Sequence, residues 1–110
     1  FGTARPQSPR EQPAMTMEQA RHYIRDTGNL LIIDVRSRKE FFRGHLDHAL
    51  NIPIHSFPHL VKTIPKDFPV LLYCFEGYRS LQAYKLLRRL RPDIKSIRYM
   101  AGQFVIAPER

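Results

Sequence analysis

The chain of 110 residues has no tryptophan, five glycines and a single cysteine, Cys74. One thiol cannot close an internal disulfide, so stability must come from packing, and the thiol is either an inert buried group or a reactive one. No apolar run nears the roughly 20 residues a membrane helix needs; the longest is Val70 to Phe75. No membrane partner is therefore expected. Acidic residues are scarce as well: 10 Asp and Glu against 18 Lys and Arg leave a formal charge of +8, which favours anionic partners through the long-range field. Yet Lys85, Arg88, Arg89 and Arg91 cluster near the end of one predicted helix, where cations complement the helix dipole. No nucleic-acid-binding module accompanies them, so no nucleic acid is expected as a partner. Histidines such as His45 with His48 and His55 with His59 lack a matching Cys or carboxylate set, so no metal and no cofactor is expected. A lone thiol fits a reducing compartment. The cytoplasm is the expected location, with the periplasm as the alternative if a leader preceded Phe1.

What is present suits one domain with one core. Residues 1–14, with Pro6, Pro9 and Pro13 among Gln, Ser and Arg, read as a flexible tail, and residues 15–110 as the domain. Order is expected from Thr16, whose hydroxyl and Gln19 have the spacing of a capping box. A helix then runs over Met17–Thr27, with Gly28 as its stop. The run Leu30–Asp34 is short, continuously apolar and partly β-branched, as a strand covered on both faces requires. Ser37 and Glu40 repeat the capping-box spacing before a short helix carrying Phe41 and Phe42. Ala49–Pro53 is a second strand and Pro69–Cys74 a third, the most buried. Arg79–Leu90 is an amphipathic helix with Ala83, Leu86, Leu87 and Leu90 inward, and Lys95–Tyr99 a last strand. Helices alternating with short apolar strands define an α/β fold, a small central parallel sheet flanked by helices on both faces.

Ligands of such sheets bind beyond the carboxyl ends of the strands, and Cys74 ends the most central one. The segment Phe75, Glu76, Gly77, Tyr78, Arg79 then joins strand to helix. A loop curling before a helix N-terminus turns successive backbone N–H groups toward one point, here the sulfur. Gly77 permits the positive φ that such a ring needs, and Arg79 adds a guanidinium. These surroundings stabilise a thiolate and make Cys74 a candidate nucleophile. A lone cysteine at the end of a buried strand is otherwise an ordinary core residue.

At these residues the sequence resembles the rhodanese-like, single-domain sulfurtransferase family, over about Met15 to Phe104. The segment "IIDVRSRKEFFRGHLDHALNIP" resembles the family's Asp-Val-Arg strand end, its Glu-Phe helix and its Gly-His block followed by Ala-x-Asn-Ile-Pro. "YCFEGYRS" resembles its Cys-x-x-Gly-x-Arg-Ser loop. The resemblance implies that Cys74 takes up a sulfane sulfur as a persulfide and that Phe75, Glu76, Gly77, Tyr78 and Arg79 encircle it. It implies supporting positions for Asp34, Arg36 and Ser80, a basic partner for Glu40, and a structural role for His45. Asp47 and His48 stand where relatives have Pro-Gly, so that turn is made without its usual residues. In "YMAGQF", Ala101 replaces the first glycine of a Gly-Gly-Phe segment.

Three functions compete. A sulfurtransferase would move sulfur from thiosulfate or another small anionic donor to a thiol, a protein acceptor or cyanide, in a monomer or weak dimer. A related cysteine-loop phosphatase would need five residues between Cys and Arg, and here there are four between Cys74 and Arg79. A non-catalytic sulfur carrier or interaction module would not require the intact loop. Glu76 opposes an anionic donor whichever reading holds.

Overall fold

The computed structural model describes residues 12–102. Its sheet has five strands, β1 (Ala14–Met15), β2 (Leu31–Asp34), β3 (Leu50–Asn51), β4 (Val70–Tyr73) and β5 (Ile97–Met100), in the order β1-β5-β4-β2-β3. All pairings are parallel, with Leu72 opposite Ile33 on one side and Tyr99 on the other. The helices are α1 (Met17–Asp26), α2 (Arg38–Arg43), α3 (Phe57–Leu60) and α4 (Tyr78–Leu90), with 3-10 turns at Ile54–Ser56 and Val61–Thr63. No helix among the described residues is long and apolar enough to cross a membrane.

The central strand β4 is apolar throughout and buried at every residue, because both sheet faces are covered. Alternate residues serve opposite clusters. Ile33, Val70, Leu72 and Cys74 pack with Phe57, Ala83 and Leu87. Ile32, Leu71 and Tyr73 pack with Ala20 and Met100, against Tyr23, Phe41 and Leu46. Both capping boxes form: Thr16 with Gln19, and Ser37 with Glu40, each with side-chain-to-backbone bonds in both directions.

Several boundaries differ from expectation. The sheet gains β1 ahead of Thr16, where Tyr99 N–H donates to Pro13 O and Ala101 N–H to Met15 O. A two-residue strand carries no periodicity by which to find it. Residues 1–11 of the expected tail lie outside the described residues. The left-handed residue after α1 is Asn29 at φ 57°, not Gly28; an asparagine tolerates that region well. At the altered turn His48 takes φ 68°, the region a glycine would occupy without strain. Leu90, expected inward, is 41% exposed. It is the last residue of α4, and there Arg91 makes the inward contact instead, its guanidinium donating to Val61 O at 2.6 Å.

Tyr73 ties the end of β4 to the segment between α2 and β3. Its phenol oxygen accepts the Leu46 N–H at 2.9 Å across 27 residues of chain, and burial, opposed in part by that bond and reinforced by Asp34, pushes the phenol well above its ordinary pKa. Replacing Tyr73 with Phe leaves the Leu46 amide without this acceptor. We expect a loss of about 1–2 kcal/mol, read as a lower urea midpoint at unchanged m-value.

Candidate active site

The carboxyl end of β4 places Cys74 at the sheet's centre, and the chain then folds back over the sulfur. Cys74 is 1% exposed. Its Sγ accepts two backbone bonds, from Gly77 N–H at 3.1 Å and from Ser80 N–H at 3.2 Å. Gly77 caps α4 with φ 88°, a turn that lets its own amide and that of Ser80 converge on the sulfur. A second constraint acts at the same residue: a Cβ on Gly77 would lie 2.4 Å from Gly102 N and 3.2 Å from Ala101 C. The loop therefore packs backbone against backbone on the segment after β5. Ser80 secures that contact, its Oγ lying 2.8 Å from Met100 O and 3.1 Å from Gly77 O, with one proton to share between them.

Arg79 brings its guanidinium to the start of α4, where it meets a carboxylate. Its two terminal nitrogens donate to the two Glu40 oxygens at 2.8 and 3.0 Å. Glu40 Oε1 also accepts Ser37 N–H and the Ser37 hydroxyl, each at 3.0 Å. One carboxylate thus caps α2 and pins the first turn of α4. The Arg79 bonds, with those from Ser37, hold the Glu40 carboxyl down at about 2 despite its burial, and Glu40 in turn raises Arg79. The partner for Glu40 was legible as a type but not as Arg79, since the two lie 39 residues apart.

Asp34 and Arg36 form a buried pair at the neighbouring strand end. Arg36 Nη2 donates to Asp34 Oδ2 at 2.7 Å and to Gly44 O at 2.7 Å. Asn51 Nδ2 donates to Asp34 O and Arg36 O. This network braces the end of β2 and the Gly44 turn. His45 stacks on Phe41 with ring centroids 3.7 Å apart, and its Nδ1 lies 2.8 Å from Phe41 O. No group of three His, Cys, Asp or Glu among the described residues could hold a metal ion. Cys74, Phe75, Glu76, Tyr78 and Arg79 line a shallow depression of about 300 Å³. Two larger hollows lie elsewhere, at the opposite end of β5 and along α4. The backing by Ala101 and Gly102 has no signature in the sequence beyond the departure at Ala101; Gln103 and Phe104 lie outside the described residues.

A parallel sheet with a cysteine at its central strand end, held by loop amides, defines a class of cysteine-loop α/β domains. Within it, this chain belongs to the rhodanese-like domain family, whose model matches residues 16–105 under the description "Rhodanese-like domain". It is similar to a sulfurtransferase of Allochromatium vinosum, 40% identical over 60 residues that cover 54% of this chain and 56% of that protein. It is similar also to the thiosulfate sulfurtransferase GlpE of Stutzerimonas stutzeri, 32% identical over 66 residues, 60% of this chain and 59% of that one. The chain thus aligns with little more than half the length of these curated relatives. Among solved structures, the human single-domain sulfurtransferase TSTD1 superposes with a TM-score of 0.65 at 27% identity, covering 84% of this chain and 91% of that one.

The Glu40 pair generates a pH-dependent prediction. A carboxyl at about 2 when folded, against 4.5 unperturbed, contributes stability that is fully present above about 4.5 and is lost as pH falls toward 2. Both side chains are about one-third exposed, so screening reduces the effect, and Glu40→Gln is expected to cost about 1–2 kcal/mol at pH 7. In urea titrations from pH 7 to pH 3 the gap between wild type and variant should narrow below pH 4.5. A gap that stays constant to pH 3 would show that the charge of Glu40 is not its source.

Proposed function

We propose that this protein is a sulfurtransferase that works through a persulfide on Cys74. The observation that carries the reading is the pair of amide N–H groups directed at Sγ in a loop whose sequence and fold match a family with members named sulfurtransferase. Amide donors fixed before reaction stabilise negative sulfur without reorganising, first as the Cys74 thiolate and then as the terminal persulfide sulfur.

The reaction is a double displacement. The Cys74 thiolate attacks the outer sulfur of a sulfane donor such as thiosulfate, the donor's S–S bond breaks, and sulfite leaves with that bond's electron pair. An acceptor thiolate, or cyanide, then attacks the outer sulfur of the persulfide and releases the Cys74 thiolate. No cofactor enters either step. The Asp34–Arg36 network and the Glu40–Arg79 pair act as positioning groups that hold the strand end and the loop in register.

Incubation with thiosulfate, mercaptopyruvate or polysulfide should add one sulfur atom to the intact mass, removable by dithiothreitol and missing in Cys74→Ser. Wild-type protein that stays unmodified with all three would return the domain to the carrier or interaction reading. Phosphatase chemistry is disfavoured on two counts: the loop is one residue short, and both terminal nitrogens of Arg79 are engaged by the Glu40 carboxylate. Turnover of a generic aryl phosphate is therefore expected at background. Substantial Cys74-dependent hydrolysis would reverse the ranking.

A further inference from the structure

The mouth of the Cys74 loop carries charge opposite to that of the chain as a whole. Arg79, the cation of the loop, spends its guanidinium on the Glu40 carboxylate, so toward the mouth that pair is close to neutral. Glu76 is exposed and enters no ion pair among the described residues. It shares the depression over Cys74 with Phe75 and Tyr78, whose side chains are 46% and 68% exposed. The Tyr78 ring is steadied from outside, its hydroxyl accepting from Gln82 Nε2 at 3.1 Å. A carboxylate beside two open aromatic faces attracts an ammonium group, by direct Coulomb interaction and by the ring quadrupoles. The same carboxylate repels a dianion.

We propose that this mouth selects a small aminothiol persulfide as the sulfur donor, in preference to thiosulfate, with Glu76 as the residue that sets the choice. The inference rests on the sulfur-transfer reading and names its substrate class. In the step, the Cys74 thiolate attacks the outer sulfur of R–S–SH, and the Sγ–S bond forms as the donor's S–S bond breaks. The leaving aminothiolate takes the proton from the new persulfide, giving R–SH and a Cys74 persulfide anion. The sulfane sulfur changes hands and no external oxidant or reductant is consumed. A cavity of about 300 Å³ admits a donor of this size.

The test has two arms. In the first, Cys74 is labelled with methanethiosulfonates that carry either trimethylammonium or sulfonate on the same ethyl chain. The ratio of the two rate constants is compared between wild type, Glu76→Gln and Glu76→Lys. Intrinsic reagent reactivity and thiolate content cancel in that comparison. At low ionic strength the preference for the cationic reagent should fall by about fivefold to tenfold in Glu76→Gln and further in Glu76→Lys, and the differences should shrink in high salt. The second arm loads Cys74 with sulfur from cysteamine persulfide or from 3-mercaptopropionate persulfide, followed by intact mass, and the same variants should lose selectivity for the first. An unchanged reagent ratio in Glu76→Gln overturns the inference, as does failure of both reagents to reach Cys74 in the folded protein. A shifted ratio with no persulfide from any donor overturns the sulfur-transfer reading instead and leaves the cation-selective mouth standing.

Discussion

Everything at the site depends on two amide hydrogens that end on one sulfur atom. For Gly77 and Ser80 both to donate to Cys74 Sγ, the chain must reverse within six residues and enter α4 without a side-chain cap. The sulfur itself takes the place of that cap. A capping side chain ordinarily satisfies the first amides of a helix; here the Cys74 sulfur does so. Local stability and chemistry therefore share the same bonds, and a change of state at the sulfur is felt at once by the first turn of α4.

A similar double use appears one layer out. Glu40 belongs to a capping box that is complete within α2, yet the same carboxylate receives the guanidinium of Arg79. The helix after β2 and the helix after β4 are thereby fastened at their starts, on the side of the sheet where the site lies. The fastening also consumes the one positive charge that the loop contains. A chain with a formal charge of +8 thus presents a different electrostatic face around the Cys74 loop. Net charge describes the far field of a protein; the contents of an active site follow from which charges have been paired.

The parts of this arrangement legible in the sequence are those encoded over a few residues. Both capping boxes, the buried β2 and β4 runs, and the positive φ of Gly77 follow from residue type and short spacing, and the structure shows each of them. Long-range choices were less accessible. That Glu40 would meet Arg79 depends on β2 lying beside β4, which no local pattern states. The strand Ala14–Met15 is formed by pairing with β5 rather than by propensity. At Leu90, helical periodicity correctly identified a face but could not say where the opposing surface ends. Gly77 was legible for its backbone conformation, while the second demand on it, the approach of Gly102, exists only in three dimensions.

That approach bears on the order in which the molecule can assemble. The loop after β4 closes against backbone that follows β5, and Ser80 is bonded to the last residue of β5. The Cys74 loop and the Asp34–Arg36 network both precede β5 in the chain, but the cradle lacks the backing of Ala101 and Gly102 until that final strand has docked. Closure over the Cys74 thiol is thus coupled to completion of the sheet, because part of its cover is backbone that only the last strand brings into place.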